Sequence, residues 1–411
     1  MTEDAAGQLH PYDVVIVGAG IPGLTLALAL RGSGLRVAVV DALAPEQAAQ
    51  RSRVYALTLL TRRIWQGIGF WHTVAPQLQP FHTIHLSDTG QNVVRFRSQD
   101  GPRCRDAAPG IGYVGEHQAI LPTLQAQVGA TVDWYCPAEL MELRRAGRPI
   151  HLHLRHQGEV KVLSAPLVVG ADGAQSPVRQ WAGIPTWGWG YWQSCLTTIL
   201  EPQFDHGGIA YERFWPSGPF AILPLPAGRC GIVWTIPHAE AHRLRQVTPS
   251  TFLNHLAPVY GSQMGELQVQ GERQVFPVRL MQARRYVATG VALIGDAAHG
   301  CHPVGGQGLN LGIRDAASLA QVLREAVQRG EDIGDLRVLR RYQRWRWPEN
   351  LWSLLFTDLL NRVFSNQFWP LVFLRRLGLL LLRALTPLRR LALAFMTGYL
   401  GRPPRLNDSS G

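Results

Sequence analysis

Three glycines near the N-terminus have a spacing that suits phosphate binding. Gly18, Gly20 and Gly23 form a G-x-G-x-x-G motif, and Asp41 follows about 20 residues later, as in dinucleotide-binding units. The first glycine permits a tight turn, the second lets backbone N–H groups approach a pyrophosphate, and the third lets a helix pack closely. The helix N-terminus favours phosphate charge, and Asp41 can accept a hydrogen bond from a ribose hydroxyl.

Two later segments end a predicted buried strand in an aspartate. Asp172 opens an Asp-Gly turn, and Gly295-Asp296 opens a second turn that places a carboxylate where it can bind a hydroxylated chain. A glycine-rich turn at 303–308 follows, and its backbone donors suit an anionic or electron-rich ligand at a helix start. The candidate residues in this last turn and the helix after it are Pro303, Gly305, Gly306, Gln307, Gly308 and Asn310.

The first motif lies between elements that could position it. Residues 12–17 form a β-branched run typical of a strand buried on both faces, residues 24–30 predict a helix, and residues 36–40 predict a second strand. This β-turn-helix-β order predicts dinucleotide binding. The motif alone does not distinguish FAD from NAD, and a βαβ unit without a ligand is the structural alternative.

The sequence lacks the motifs of several other classes of enzyme. The sequence contains no H-E-x-x-H, no G-x-S-x-G and no cysteine cluster, so we expect neither a metal site nor a nucleophilic triad. Lys161 is the only lysine. The five cysteines are scattered without a C-x-x-C pair, which favours reduced thiols in a cytosolic setting. The acidic N-terminus lacks the apolar stretch of a signal peptide, so we expect a cytoplasmic protein.

The charge of the 411-residue chain is uneven. It has 40 basic and 29 acidic residues, a net charge of +11, but residues 337–405 contain 13 of the arginines and two acids. The rest of the chain is nearly neutral. This distribution does not fit a uniformly basic nucleic-acid binder, and we expect no nucleic-acid partner. It indicates a neutral body with a basic C-terminal tail.

The tail also carries a helical apolar pattern. Seven residues at i, i+3, i+4 spacing predict one apolar helix face: Trp352, Leu355, Phe356, Leu359, Leu360, Val363 and Phe364. Arginines interrupt the later apolar stretches, so a spanning helix is not expected. Basic amphipathic helices suit the surface of an anionic bilayer, which predicts peripheral contact with the inner face of a membrane. A face packed on the protein's own body is the alternative.

The three motifs, in this order, resemble those of the FAD-dependent aromatic hydroxylases, the class A flavoprotein monooxygenases. The third reads G-D-A-A-H-x-x-x-P-x-x-G-Q-G-x-N at 295–310. Within the class, the sequence is most similar to the ubiquinone-biosynthesis hydroxylases, with their R-x-x-A-L segment at 53–57, their G-P-x-A-x-L-P-L strand at 218–225 and features of their tail.

The resemblance implies an α/β fold of two interleaved domains and a tail. A Rossmann-like FAD-binding domain would comprise residues 1–75, 101–180 and 276–336. An antiparallel-sheet substrate domain would comprise residues 76–100 and 181–275, whose polar–apolar alternation also indicates strands. Residues 337–405 would form a basic amphipathic helical tail.

The resemblance also implies a reaction. FAD would be reduced by NAD(P)H, react with O2 to give a flavin hydroperoxide, and hydroxylate the ring of a lipid-soluble, polyprenylated phenol or quinone precursor. Other quinone-biosynthesis enzymes are candidate partners. One alternative is an FAD-dependent reductase of polyprenyl chains, and another is a non-catalytic flavin-fold protein whose basic tail binds membranes or nucleic acid.

Site roles follow from the same resemblance. Gly18, Gly20, Gly23, Asp41 and Arg53 would hold the ADP half of FAD, Asp172, Gly295 and Asp296 would lie along the pyrophosphate and ribityl chain, and Gln307, Gly308 and Asn310 would complete the cofactor site. Pro303, Gly305 and Gly306 would form the catalytic flavin-ring environment without an acid–base residue. Gln118 stands where the family tends to have an arginine, so a charge near the FAD phosphates is absent there.

His299 and an aromatic cluster at 187–192 each allow two interpretations. His299 either caps a helix start or transfers a proton. The aromatic cluster at 187–192 either lines the substrate site or belongs to a core or interface, as such clusters more often do. The residues of this cluster are Trp187, Trp189, Tyr191 and Trp192.

Overall fold

The computed structural model describes residues 9–89, 91–100, 110–144 and 149–406, so Cys104 lies outside the described residues. The strands are β1 Leu9–Pro11, β2 Val14–Val17, β3 Val37–Val40, β4 Val54–Thr58, β5 Gln79–Phe81, β6 Thr83–Asp88, β7 Gln91–Arg97, β8 Gly112–Glu116, β9 Asp133–Tyr135, β10 Ala138–Arg144, β11 Ile150–His156, β12 Glu159–Ala165, β13 Leu167–Gly170, β14 Thr186–Pro202, β15 Ile209–Trp215, β16 Gly218–Pro224, β17 Cys230–Pro237, β18 Leu267–Val269, β19 Gln274–Ala283, β20 Val287–Ala288, β21 Val291–Leu293 and β22 His299–Gly300.

The helices alternate with these strands and then close the chain. They are α1 Ile21–Ala29, α2 Pro45–Ala49, α3 Leu59–Gly67, α4 Trp71–Val74, α5 His117–Val128, α6 Pro177–Trp181, α7 His238–Gln246, α8 Pro249–Tyr260, α9 Gln307–Gln328, α10 Leu336–Phe364, α11 Trp369–Ala384 and α12 Thr386–Met396.

A six-stranded sheet forms the centre of the N-terminal half. Its order is β20-β21-β13-β2-β3-β9, and every pair is parallel except β20 with β21. Strands β2, β3 and β13 are buried along their whole length, as expected for strands covered on both faces. Helices α1 and α9 pack on this sheet and on each other, close to the turns that follow its strands.

The second large sheet of the protein has nine strands. Its order is β22-β19-β14-β17-β16-β15-β6-β7, with β18 paired to β14, and all neighbours are antiparallel except β15 with β6. One face, here the back face, packs its alternate apolar residues against α7 and α8. The opposite face, here the front face, is directed at the N-terminal half and the C-terminal helices. Its residues include Cys195, Thr197, Glu212, Ala221 and Val233.

Two smaller sheets complete the strands. One has the order β1-β12-β11-β10, and the other has the order β4-β8-β5. Strand β4 carries the R-x-x-A-L segment and touches the front face of the large sheet, because a Cβ on Gly231 would lie 2.9 Å from Val54. The small sheet around β4 therefore stands between the two large sheets.

Helix α10 has an orientation that the apolar periodicity does not reveal. The residues it buries after Pro348 are mostly polar, while Trp352, Leu355, Phe356 and Leu359 are exposed. Of the seven residues predicted to form one apolar face, Phe364 alone is buried. The buried set is Asn350, Leu354, Thr357, Asp358, Asn361 and Phe364.

The α/β class, with a Rossmann-like parallel sheet, an antiparallel sheet and C-terminal helices, is confirmed. The large sheet continues past the predicted boundary at residue 275, since β19 runs to Ala283. The division into domains remains a prediction. Among the described residues, no helix has the length and apolar character needed to cross a membrane.

Candidate functional site

The parallel sheet brings the three predicted motifs to one edge. Gly170 is paired with Val17 and with Leu293, and Val17 is paired with Val40. Because these strands are parallel, the turns that leave their carboxyl ends lie side by side, which is where ligands bind in open α/β sheets. The first glycine motif, Asp41, the Asp172 turn and the Gly295 turn all start there.

The first turn depends on two of its glycines. Gly18 adopts a φ of +114°, and an added Cβ there would lie 2.3 Å from the Ala171 carbonyl oxygen. A Cβ on Gly23 would lie 2.0 Å from the Gly18 carbonyl oxygen. At Gly20, in contrast, the nearest atom to such a Cβ is 3.9 Å away. The turn is therefore packed tightly against protein backbone at Gly18 and Gly23, and it has free space for a ligand at Gly20.

Asp41 lies beside this turn at the end of β3. One carboxylate oxygen accepts a hydrogen bond from the Ala19 backbone N–H at 2.7 Å, and the other accepts from Leu43 at 2.9 Å. Each oxygen keeps a second lone pair. The carboxylate is therefore fixed by the backbone, with capacity left for a ligand hydroxyl group.

Asp172 borders the same turn and is incompletely satisfied. Its Oδ2 accepts a hydrogen bond from Val178 at 3.0 Å at the start of α6, whereas its buried Oδ1 has no partner. Burial raises the pKa of this carboxyl group above its ordinary value. Buried polar atoms without partners are uncommon in folded proteins, so Oδ1 marks a place where a polar ligand group fits.

The Gly295 turn approaches the first motif directly. A Cβ on Gly295 would lie 3.4 Å from Pro22. The neighbouring Asp296 is exposed at this edge. Burial raises the pKa of the Cys301 thiol to about 12, and the negative charge of Asp296 adds to this effect.

The glycine-rich loop is held by its own residues and by α9. Gly305 and Gly306 adopt φ values of +68° and +61°, and the Gly306 N–H donates to the Pro303 carbonyl at 3.0 Å. The Gln307 side chain donates to the Gly305 carbonyl at 3.2 Å. Gly308 lies over Cys301, since an added Cβ would be 3.7 Å from its sulfur.

Asn310 connects this loop to β4. Its Nδ2 donates to the carbonyls of Ala56 at 2.8 Å and Gly306 at 2.7 Å, and its Oδ1 accepts from Thr58 N–H at 2.9 Å and from the Thr61 hydroxyl at 2.7 Å. All of its hydrogen-bonding capacity is engaged within the protein. Asn310 therefore sets the position of the loop.

Arg53 and Gln118 have contacts away from the first glycine turn. The Arg53 guanidinium lies 5.0 Å from the centre of the Phe276 ring on the front face of the large sheet. The exposed Gln118 side chain donates to the Gln50 carbonyl at 3.1 Å. The assignment of Arg53 to the ADP half of FAD and the assignment of Gln118 to the cofactor site near the FAD phosphates remain predictions.

A buried charged network behind the Gly295 turn was missed from the sequence. Asp315 on α9 accepts from the Gly295 N–H at 3.2 Å, contacts His299 Nε2 at 2.5 Å and pairs with Arg346 Nε on α10 at 2.9 Å. Asn350 donates to the same carboxylate at 2.9 Å. In the sequence, Arg346 was one of many tail arginines, and nothing local distinguished it.

The network defines a role for His299. Both His299 and Asp315 are buried, and their contact orients the imidazole beneath the turn. Burial alone would raise the pKa of Asp315, but His299 and Arg346 outweigh that effect and hold the pKa at about 2. These contacts favour a structural role for His299.

The aromatic cluster at 187–192 contacts the C-terminal helix. The Tyr191 hydroxyl donates to Asp358 at 2.6 Å, and the Arg362 guanidinium lies 5.1 Å from the Trp189 ring. Between β14 and α10 is a cleft of about 420 Å³. Its lining residues are Trp189, Gly190, Tyr191, Trp192, Asn361, Arg362 and Ser365.

Comparison with known families decides the class of this site. Residues 11–348 match the family described as FAD binding domain. The chain belongs to this family. The residues at the carboxyl edge fit FAD: Gly20 leaves space for a pyrophosphate, the orphan Asp172 oxygen can accept from a ligand, and Asp296 is exposed toward the turn.

Two of the similar relatives are named as hydroxylases. The chain is 38% identical to ubiquinone hydroxylase UbiL of Rhodospirillum rubrum, over 96% of this chain and 92% of the relative. It is 34% identical to 3-demethoxyubiquinol 3-hydroxylase of Escherichia coli, over 95% of this chain and 99% of the relative. An uncharacterized Synechocystis protein is 44% identical, over 97% of this chain and 95% of the relative.

A solved structure shows the same fold. The p-nitrophenol 4-monooxygenase of Pseudomonas putida superposes with a TM-score of 0.82 at 20% identity, covering 96% of this chain and 99% of that chain. The family match and the curated hydroxylase relatives together identify the chain as an FAD-dependent monooxygenase of the aromatic hydroxylase type. The resemblance drawn from the motif order, and FAD as the cofactor, are confirmed.

Proposed function

We propose that this FAD-dependent hydroxylase adds a hydroxyl group to the aromatic ring of a lipid-soluble, polyprenylated phenol or quinone precursor, using NAD(P)H and O2. The observation that carries this proposal is the placement of the glycine-rich loop opposite the partly covered front face of the large sheet. Val304 in the loop belongs to the same apolar cluster as Phe214 on that face. The printed names of the curated relatives support the substrate class.

When bound and reduced by NAD(P)H, FAD supplies the activation of O2 and the transfer of one oxygen atom to the ring. The chain supplies placement. Gly18, Gly20, Gly23 and Asp41 would hold the dinucleotide, Asp172 and Asp296 would bind its linking groups, and the backbone donors of the loop at 303–308 would stabilise negative charge on the ring system. The large sheet forms the substrate side and excludes water.

The C-terminal helices are the proposed membrane contact. Large apolar side chains are exposed on all three of them, and the Phe356 and Phe395 rings, 4.5 Å apart, join α10 to α12. Exposed arginines such as Arg376 lie among these residues. Such a surface suits partial insertion into an anionic leaflet. We propose that the enzyme is cytoplasmic, peripheral to the inner face of a membrane and near other quinone-biosynthesis enzymes.

The test is turnover by the purified holoprotein. The protein with bound FAD is mixed with 2-geranylphenol, NADH or NADPH, and O2, and the product is identified by mass spectrometry. We expect a product heavier by one oxygen atom, which carries label from ¹⁸O2, with substrate-dependent oxidation of the nicotinamide. Reduction of the prenyl chain without oxygen incorporation would instead identify a reductase.

A further inference from the structure

Glu212 lies on the front face of the large sheet. On β15, the neighbouring Tyr211 packs with the back-face cluster and Arg213 donates to carbonyls of α8, so Glu212 points the other way. It is paired with Ala221 on β16 and with Leu86 on β6. This face is the one opposite β4 and the glycine-rich loop.

The Glu212 carboxyl group has no partner among the described residues, either as a hydrogen bond or as an ion pair. The side chain is enclosed by protein, yet part of it remains accessible. Side chains around Glu212 are also partly accessible. They are Leu86, Ala221, Leu223, Val233 and Phe276 on the same face of the sheet and Val54 on β4. Glu212 therefore faces a space between the sheet and β4.

A second polar group on the same face is unsatisfied. Thr197 is 8% exposed, and its Oγ1 has no hydrogen-bond partner. The register places Thr197, Val233, Ala221 and Glu212 in one row across four strands. Strand spacing separates the ends of this row by about 14 Å. An apolar floor with a polar group at each end fits an aromatic molecule that carries oxygen substituents.

The surroundings leave Glu212 without a compensating charge. Burial raises the pKa of its carboxyl group to about 8. Two of the neighbouring charges are already paired, at Asp88 with Arg375 and at Asp358 with Arg362. The charged and titratable groups on the elements around Glu212 include Cys195, Arg53, Tyr55, Asp88, Arg375, Arg376, His302, Asp358 and Arg362.

We propose that Glu212 is a catalytic residue that accepts the proton of the substrate's phenolic hydroxyl group. The inference rests on the proposed function and names the residue that contacts the reacting ring. The sequence-based assignment contained no acid–base residue at this site.

The proton transfer is balanced without a further reactant. The phenolic O–H bond breaks, its electron pair stays on the substrate oxygen, and the proton moves to a carboxylate oxygen of Glu212. The phenolate donates electron density to its ring, which makes the carbon a stronger nucleophile toward the transferred oxygen atom. A base whose pKa lies near the working pH is effective in such a transfer.

The experiment compares Glu212→Gln with Glu201→Gln, the same change at an exposed position of the same sheet. The rate of 2-geranylphenol hydroxylation by the FAD-loaded proteins is measured against pH. We expect Glu212→Gln to lower the rate about 100-fold at neutral pH and to remove the rise in rate toward pH 8 that the wild type and the control show. An unchanged rate and profile would overturn the proposal.

A substrate with a more acidic hydroxyl group separates proton transfer from structural damage. A fluorinated 2-geranylphenol ionises at lower pH, so with this substrate the hydroxylation rate of Glu212→Gln should fall less far below that of the wild type. Glu212→Asp should lose less rate than Glu212→Gln, and its loss should also be smaller with the fluorinated phenol. If the Glu212 variants lose the same factor in rate with both phenols, or if both variants lose FAD, then Glu212 has a structural role and the proposal is overturned. If the wild type hydroxylates neither phenol, the proposed function itself fails and the inference with it.

Discussion

The carboxylates at the carboxyl edge differ in how far the protein already satisfies them. Asp41 is fixed by two backbone N–H groups, Asp172 has one orphan oxygen, and Asp296 is exposed at the end of its strand. The sequence predicted all three as candidates, because each lies in the turn that leaves a buried parallel strand and such turns meet at one edge of the sheet. It did not predict Glu212, because an acid within an alternating strand has no local sign of which face it occupies.

Asp296→Ala tests the ribityl assignment. Loss of a charged acceptor removes a hydrogen bond worth about 1.5–3 kcal/mol, so we expect FAD binding to weaken roughly 10- to 100-fold. Bound FAD is measured by absorbance after gel filtration and by titration of the apoprotein. Glu272→Ala, at an exposed position away from this edge, should keep its FAD. Stoichiometric FAD in both variants would contradict the assignment.

Helices α9 and α10 are joined by a buried ion pair, to which each helix contributes one residue. Asp315 on α9 supports the Gly295 turn, and Arg346 on α10 neutralises Asp315 from a position in the basic tail. The sequence predicted the turn, the helix after it and the helical tail. The contact itself was not predictable, because it depends on the register of two helices packed against each other.

Asp315→Asn tests this connection. It removes one of the two carboxylates that pair with the buried Arg346 and the one that contacts His299, so we expect a loss of about 3 kcal/mol in the free energy of unfolding, the lower end of the range for a broken buried pair, together with weaker FAD binding. Urea denaturation gives the first quantity and apoprotein titration the second. Asp133→Asn breaks an exposed pair with Arg36 and should cost less than about 1 kcal/mol. Similar losses in the two variants would argue against the network.

The same ion pair predicts a dependence on pH. Because the pKa of Asp315 is lowered to about 2 in the folded protein, its contribution to stability is present above the unfolded pKa of about 3.9. It is lost as the pH falls from there toward 2. Wild-type protein should therefore lose stability over this range more steeply than Asp315→Asn. Parallel unfolding curves at pH 4 and below would contradict the lowered pKa.

At the scale of the whole molecule, the tail at 337–405 packs against the rest of the fold and also carries most of the basic residues that make up the net charge. The chain after α12 returns to the body: the Thr397 carbonyl accepts from Leu60, and Arg314 donates to the carbonyls of Leu400 and Arg402. The net charge of +11 is concentrated in this part of the sequence. Composition located the charge, but only the packing reveals that α10, after Pro348, buries mostly polar residues and exposes most of its large apolar ones.

Removal of residues 337–405 should therefore abolish the fold and not merely the membrane contact. The deletion exposes α9 and leaves Asp315 without Arg346 and Asn350. We expect insoluble protein or soluble protein without FAD, measured by gel filtration and absorbance. A folded, FAD-loaded truncation would show that the body is independent of the tail.

Membrane contact must then be tested with the tail in place. Trp352, Trp369 and Phe373 are 74%, 76% and 63% exposed, so a triple change to Ser should leave the fold and the FAD content intact. Burying a large apolar side chain is worth about 1.5–3 kcal/mol, so binding to phosphatidylglycerol-containing vesicles should weaken at least about tenfold. The matched control changes Leu9, Val160 and Phe204, which are exposed outside the three helices, and should bind vesicles as the wild type does. Equal flotation of both triple variants with the vesicles would place the membrane contact elsewhere.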